Sequence, residues 1–180
     1  TVGSAPHVMV EYSSPNTNKP LHLGHLRNNF LGHSVSRILE NRGHKVTKVQ
    51  IINDRGIHIC KSMVAYQAFG EESTPESTGQ KGDHFIGEYY VRFDAAFKTE
   101  YEAYVSQTES PLDKDAFFNS DESKWGGAAR QMLLDWERGD ATVRTLWQRM
   151  NGWCESGFAE TYERMGVRFD RVYKESQTYL

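Results

Sequence analysis

Two histidines that flank a glycine form the part of the sequence best suited to chemistry. His22, Gly24 and His25 lie together, and Lys19 precedes them by three residues. Imidazole rings and an ammonium group donate hydrogen bonds to anionic oxygens, and a glycine lets a ligand approach the backbone closely. If a helix begins here, its free N–H groups and its dipole also favour an anion. The spacing therefore predicts a site for a polyphosphate.

The residues around these histidines predict a strand followed by a helix. Val8–Tyr12 is short and β-prone, and the turn-forming residues Ser13–Asn16 end it. A helical pattern of apolar residues then runs from Leu21 to Asn41, and Pro20 suits the start of a helix. The polyphosphate site would lie at this strand-to-helix turn, where open α/β sheets bind ligands.

Further strands extend this pattern into a parallel sheet. Lys45–Ile52 alternates and is rich in β-branched residues, Ile57–Phe69 follows as a helix, and Val167–Tyr173 is a third predicted strand. The order strand, helix, strand, helix predicts a βαβ unit. The expected fold class is therefore α/β, with too few strands for a complete doubly wound sheet.

A mostly helical segment separates the second and third predicted strands. Gly70–Asp83 is polar and predicts a loop, and three helical stretches follow, with apolar and aromatic residues every three or four positions. These stripes are expected to be packing faces. Asp140 should cap the start of the last helix and Gly166 its end. We therefore expect three parts: a first α/β part (1–69), a helical insertion (70–166) and a return to the sheet (167–180).

Composition limits the partners that can be expected. The chain has 180 residues, 38% of them hydrophobic, and its apolar runs are too short for a transmembrane helix. A net charge of −3 argues against a dedicated nucleic-acid-binding domain. Cys60 and Cys154 lie far apart without metal-ligand spacing, so we expect reduced thiols, no metal site and a cytoplasmic protein.

The segment around the histidines resembles a signature of the class I aminoacyl-tRNA synthetases. His22-Leu23-Gly24-His25 looks like the HIGH motif of that class, and the stretches Glu11–Asn16 and Lys19–Asn28 are similar to its arginyl-specific form. The similarity is dense from Val8 to Gly56, and residues 70–166 match only the position of the connective insertion of that class. Phe169-Asp170 and Glu175-Ser176 resemble the return to the sheet. The resemblance implies a partial Rossmann-like (HUP-type) parallel sheet.

The same resemblance implies ATP-dependent activation of arginine and its ligation to tRNA(Arg) by the full-length protein. It assigns ATP binding to Lys19, His22, Gly24 and His25, of which Lys19 and the two histidines would be catalytic. ATP would be a substrate, and Mg²⁺ would arrive with it without a ligand assigned in this chain. Any contact with tRNA would be local or made by other segments.

The resemblance also implies a place for the amino acid. The residues assigned to arginine are Glu11, Ser14, Asn16 and His22. Glu11 would face the guanidinium, because a carboxylate accepts two parallel hydrogen bonds from that group. Ser14 and Asn16 would hold the α-amino and carboxylate groups.

Departures from the family pattern leave alternatives open. The sequence contains no Lys-Met-Ser-Lys-like second motif, and Lys19 fits a lysine thought to replace it. Asp54 is either a turn-former or a substrate contact. The alternatives are a stand-alone nucleotidylyltransferase with the same His-x-Gly-His site, a class I synthetase of another specificity, or a module that binds without turnover. We expect a monomer without membrane contact, and a chain that is inactive alone.

Overall fold

Three parallel strands form the sheet of the computed structural model, which describes residues 6–70 and 72–178. Their order is β1 (His7–Glu11), β2 (Lys45–Ile52) and β3 (Arg171–Lys174). The parallel α/β architecture and the bounds of β2 confirm the prediction, and β1 begins one residue earlier than predicted. β1 and β3 lie on opposite sides of β2, so β1 is an edge strand in the described part of the chain.

The third strand is shorter than the predicted range Val167–Tyr173. Pairing begins around Asp170, whose backbone N–H donates to the carbonyl of Lys48 and whose carboxylate accepts from the Lys48 N–H at 2.7 Å. The residues before it pack instead of pairing: Val167 is buried, and the ring of Phe169 lies 4.8 Å from that of Tyr12. Burial of these two side chains against other parts of the core therefore outweighs their β propensity.

Helix α1 (Leu23–Asn41) turns its small and polar residues towards the sheet. Asn29, Gly32 and Ser36 are its buried residues. A Cβ atom at Gly32 would lie 2.3 Å from the ring of Tyr12, so only glycine permits this close approach. The helix begins two residues later than predicted because His22 is its N-cap.

The apolar stripe that predicted α1 is exposed. Four of its members are between 46% and 62% exposed: Phe30, Leu31, Val35 and Ile38. Met9 on the neighbouring edge strand β1 is 58% exposed. Exposed apolar side chains grouped on one helix are typical of an interaction face. We call the four α1 side chains Phe30, Leu31, Val35 and Ile38 the α1 face.

The helices after β2 are α2 (Ile57–Phe69), α3 (Pro75–Thr78), α4 (Gly82–Gln107), α5 (Lys114–Asn119), α6 (Lys124–Arg138), α7 (Ala141–Met165) and α8 (Glu175–Thr178). The bounds of α2 match the prediction. Both predicted caps of α7 are confirmed, because the Asp140 carboxylate accepts from the Val143 N–H and Gly166 is left-handed. The predicted loop 70–83 instead contains α3 and the start of α4, and α5 was not predicted, since one or two turns carry no periodic pattern.

The aromatic stripes of α4, α6 and α7 form a core with α2. Phe85, Phe93, Trp136 and Phe158 are each at most 2% exposed, which confirms the stripes as packing faces. Burying each such ring stabilises the fold by about 2 kcal/mol. Residues of α2 share this core with the later helices, and the division of the chain after residue 69 stays a prediction. No helix in the described ranges is both long and apolar enough to cross a membrane.

Candidate active site

The two histidines of the signature cap α1 reciprocally. His22, in extended conformation, accepts a hydrogen bond at Nδ1 from the backbone N–H of Gly24, at 3.1 Å. His25 accepts at Nδ1 from the backbone N–H of His22, at 3.3 Å. The ring centroids are 4.1 Å apart. The pair therefore occupies the helix N-terminus, where orphan N–H groups and the dipole attract anions.

These contacts define the proton positions of both rings. A neutral imidazole that accepts at Nδ1 carries its proton at Nε2. Burial lowers the pKa of His25 below its ordinary value, and the neighbouring His22 and Lys19 lower that pKa further. The cap thus orders two rings whose Nε2–H groups are donors suited to anionic oxygens.

Lys19 is held between two helices of the helical block. On one side Gly87 of α4 packs on the chain, and a Cβ at that glycine would lie 2.8 Å from Cδ of Pro20 and 3.7 Å from Cα of Lys19. On the other side the buried Cys154 of α7 contacts the backbone of Lys19. A cavity of about 570 Å³ opens beside it, lined by Lys19, Pro20, His84, Gly87, Glu88, Tyr90, Val91 and Arg92. Lys19 therefore lies where the signature loop meets this cavity.

Glu11 and Ser14 form a hydrogen-bonded pair after β1. The Ser14 hydroxyl donates to Oε1 of Glu11 at 2.7 Å and accepts from the backbone N–H of Ile51 at 3.2 Å. The backbone of β2 thus holds Ser14, and Ser14 orients the carboxylate. Glu11 is exposed, so its second oxygen remains open to a cation.

Asn16 continues the sheet beyond the end of β1. It forms a parallel bridge with Asn53, and the Asn53 amide donates to Oδ1 of Asn16 at 2.8 Å. Because its oxygen is the acceptor in that bond, Asn16 has its NH₂ group left as a donor for a ligand. This is the polarity that a carboxylate requires.

The turn at Ser13 and Ser14, between Glu11 and Asn16, has an unusual backbone. Ser13 and Ser14 have φ values of 75° and 46°, in the left-handed region that disfavours residues other than glycine. The Ser13 N–H donates to Oδ1 of Asn28 at 2.6 Å. Asn29 donates from Nδ2 both to the carbonyl of His25, at 2.8 Å, and to Oγ of Ser13, at 3.2 Å. Asn29 therefore bridges the histidine pair and the Ser13 turn.

Asp54 lies in the interior and acts on the fold. Its carboxylate is 1% exposed and accepts from the backbone N–H and the hydroxyl of Ser176, at 2.9 and 2.6 Å. Its carbonyl accepts from Trp147 and Asn151 of α7. Asp54 thus joins the ends of β2 and β3 to the helical block, and every contact that the structure gives it is structural.

Sequence reasoning missed several residues that position the site. Asn28 lies in the signature segment, and its role as acceptor for the Ser13 backbone N–H was not predicted. Asn29 and Tyr162 were not predicted. An asparagine on the inner face of α1 indicates a structural role, because buried polar groups require hydrogen-bond partners. Tyr162 offered no such signal, because it lies 149 residues from its partner Ser13.

The cysteines are buried and unpaired, as predicted. Burial raises the pKa of the Cys60 thiol to about 12 and raises that of Cys154 well above its ordinary value. Neither is therefore a nucleophile at neutral pH. Across residues 6–70 and 72–178, no three His, Cys, Asp or Glu side chains are grouped to hold a metal ion.

Comparison with known proteins identifies the family. The family model for class I (R) tRNA synthetases, catalytic domain, matches residues 2–179. Proteins named arginine–tRNA ligase from Bacteroides fragilis and Amoebophilus asiaticus are 54% and 56% identical over 177 and 173 residues, which are 98% and 96% of this chain. The chain spans only 29% and 28% of these two relatives.

Solved structures agree with this match. The arginyl-tRNA synthetase of Thermus thermophilus superposes with a TM-score of 0.65 at 28% identity, covering 94% of this chain and 24% of that one. The arginyl-tRNA synthetase from Plasmodium falciparum superposes with a TM-score of 0.53 at 17% identity. The match covers 97% of this chain and 24% of that protein, and it supports the fold alone. The histidine cap at the strand-to-helix turn, the parallel sheet and the family match over residues 2–179 lead to one conclusion: this chain belongs to the class I (R) tRNA synthetases, within their catalytic domain.

Proposed function

We propose that the full-length protein that carries this chain activates arginine with ATP and ligates it to tRNA(Arg). The observation that supports this most directly is the arrangement around Asn29. This one side chain binds both the His25 carbonyl and Ser13. Asn29 therefore joins the histidine pair, which would donate to phosphate, to the turn that follows Glu11, the acceptor for a cationic amino acid.

The histidine pair and Lys19 form the ATP side of the proposed site. Nε2–H groups of His22 and His25 would donate to phosphate oxygens, and Lys19 would supply a positive charge. A Cβ atom at Gly24 would lie 2.9 Å from Cε1 of His22, so the glycine leaves room for the capping ring, and the nucleotide would bind beside it. Mg²⁺ would enter bound to the phosphates of ATP, and we assign it no ligand in this chain.

Glu11, Ser14 and Asn16 form the amino-acid side. The free oxygen of Glu11 would accept from the guanidinium, the Asn16 NH₂ would donate to the carboxylate, and a lone pair of Ser14 would accept from the ammonium. His22, the cap residue nearest this group in sequence, would complete the arginine site. The Glu11 carboxylate accepts from the Ser14 hydroxyl, which the backbone N–H of Ile51 holds in turn, so it requires little reorganisation when it binds a cation.

The proposed reaction needs no general base. The ionised carboxylate of arginine attacks the α-phosphorus of ATP, a new P–O bond forms, and the bond to the β-phosphate oxygen breaks to release pyrophosphate. The histidine donors and Lys19 stabilise the negative charge that develops on the phosphates. A hydroxyl of the terminal tRNA ribose then attacks the carbonyl carbon of the adenylate; an ester bond forms, the anhydride C–O bond breaks, and AMP and the hydroxyl proton are released.

We propose that this chain by itself carries only half of the substrate site. The α1 face is exposed, β1 is an edge strand, and the relatives are more than three times as long as this chain. We propose that the rest of the full-length protein covers the α1 face and completes the substrate pocket. We also propose that the full-length protein acts as a monomer in the cytoplasm.

A charging assay tests the proposal. The 180-residue chain and the full-length protein would each be incubated with ATP, a tRNA pool and every one of the twenty amino acids in turn. The full-length protein should attach arginine, and no other amino acid, to tRNA. The 180-residue chain by itself should attach no amino acid. Charging of another amino acid by the full-length protein would overturn the arginine assignment, and charging by the chain alone would overturn the half-site assignment.

A further inference from the structure

Four buried polar side chains, from the turn after β1, α1, β2 and α7, form one directed series of hydrogen bonds. They are Ser13, Asn29, Gln50 and Tyr162, each at most 8% exposed. The Tyr162 hydroxyl donates to Oε1 of Gln50 at 3.0 Å, so it accepts from the Ser13 hydroxyl at 2.6 Å. Ser13 in turn accepts from the Asn29 amide. Each hydroxyl thus donates once and accepts once.

This series of hydrogen bonds passes through Ser13, a residue whose backbone needs support. Ser13 has a φ of 75° and Ser14 of 46°. Such conformations cost free energy in residues with a Cβ atom and persist where neighbouring groups impose them. The groups that bind Ser13 are Asn28 at its N–H, and Asn29 and Tyr162 at its hydroxyl. Of these, only Tyr162 belongs to the helical block.

The conformation of Ser13 sets the position of the next residue. The left-handed turn places the Ser14 hydroxyl where it donates to Glu11 and accepts from the Ile51 N–H. If Ser13 relaxed to an ordinary φ, Ser14 would turn away, and Glu11 would lose its hydrogen-bond donor. The orientation of a carboxylate on β1 therefore depends on a hydroxyl from α7.

We propose that Tyr162 is a positioning residue for arginine: its hydroxyl holds the Ser13–Ser14 turn left-handed, so that Ser14 orients Glu11 towards the guanidinium. This rests on the proposed function, because it names a further residue of the same site. The Tyr162 ring packs against Phe169 at 5.3 Å, which fixes the hydroxyl independently of the network. Burial raises the pKa of Tyr162 to about 12, so the hydroxyl remains a donor at neutral pH. The helical insertion thereby contributes to amino-acid binding without touching the amino acid.

The test is Tyr162→Phe in the full-length protein, assayed by arginine charging with arginine and ATP varied separately. The variant keeps the ring and loses only the hydroxyl. We expect the KM for arginine to rise about tenfold, with kcat and the KM for ATP within about twofold of wild type, since a ground-state contact is weakened. The matched control is Tyr66→Phe, which removes a buried tyrosine hydroxyl bonded to the Ser73 carbonyl, and it should leave all three parameters unchanged.

A double variant separates positioning from packing. Glycine adopts positive φ without strain, so Ser13→Gly combined with Tyr162→Phe should recover most of the lost arginine affinity. The proposal would be overturned if Tyr162→Phe left the KM for arginine unchanged, whether or not kcat fell about tenfold. It would also be overturned if the double variant recovered no arginine affinity. If Tyr162→Phe does not fold, Ser13→Ala removes the same contact, and an unchanged KM for arginine in it would overturn the proposal. Wild-type protein that does not charge arginine at all would instead refute the proposed function.

Discussion

The ring of His25 accepts a hydrogen bond from the backbone N–H of His22, the residue that caps its own helix, with 3.3 Å between Nδ1 and N. The ring can accept only while Nδ1 is unprotonated. The lowered pKa of His25, caused first by burial and then by His22 and Lys19, keeps it neutral at pH 7. The cap and the proton state of the ring are therefore linked.

This linkage predicts a pH dependence. Because the folded pKa of His25 lies below the unfolded value of about 6.5, the stability linked to it is present above pH ~6.5 and is lost as pH falls through the folded pKa. An NMR titration should place the pKa of His25 below about 6.5, and Lys19→Met should raise it. Lys98→Met, about three turns beyond Gly87 on α4, should not change it. A pKa at or above the ordinary value would contradict the cap geometry.

Pyrophosphate binding should depend on the histidine cap. Each hydrogen bond to an anion contributes about 1.5–3 kcal/mol, so His25→Ala and Lys19→Met should each weaken binding of pyrophosphate by roughly tenfold or more in calorimetry of the full-length protein. His44→Ala removes a histidine that contacts the Pro6 carbonyl before β1 and serves as the control. Equal binding in wild type and the double variant His22→Ala/His25→Ala would place the phosphate elsewhere.

Removing the charge of Glu11 should act on arginine and not on ATP. Glu11→Gln keeps the size of the side chain but loses a charge-assisted bond to the guanidinium, so the KM for arginine should rise about ten- to a hundredfold. The KM for ATP should stay constant. Glu109→Gln, at an exposed position between α4 and α5, is the control. If Glu11→Gln raised the KM for ATP to the same extent, the amino-acid assignment would fail.

Asp54 should matter for stability. Asp54→Ala leaves two donors of Ser176 without their acceptor, which should lower the free energy of unfolding by about 3 kcal/mol. Urea unfolding of the full-length protein measures the loss. The exposed Asp121→Ala should change it by less than about 0.5 kcal/mol. A loss of substrate affinity at unchanged stability would show that Asp54 contacts the ligand.

Polar substitutions in the α1 face should change self-association in the isolated chain and the melting temperature in the full-length protein. Phe30→Ser combined with Ile38→Ser removes exposed apolar surface from the chain, so self-association in sedimentation velocity should decrease. In the full-length protein the same change should lower the melting temperature by several degrees, because each buried side chain contributes about 1.5–3 kcal/mol. An unchanged melting temperature would mean that nothing covers this face. Lys98→Ser combined with Glu102→Ser, exposed on α4, is the control.

Local rules account for what the sequence determined by itself. The bounds of β2 follow from its alternation, those of α7 from Asp140 and Gly166, and the histidine pair from a spacing of three residues. Each of these features involves neighbours in the chain, whose geometry a helix or strand imposes directly. The polyphosphate site at the turn after β1 is predicted for the same reason.

Only the tertiary structure decided how the site is held. Tyr162 reaches Ser13 across 149 residues, Asp54 reaches Ser176 across 122, and the left-handed turn follows from the first of these contacts together with Asn28 and Asn29. Such contacts depend on how α7 and the strands pack, which no local pattern encodes. The same packing turns the small residues of α1 inward and leaves its apolar stripe exposed. Periodicity identifies a helix and its apolar side, whereas the choice of buried side depends on which surface lies opposite.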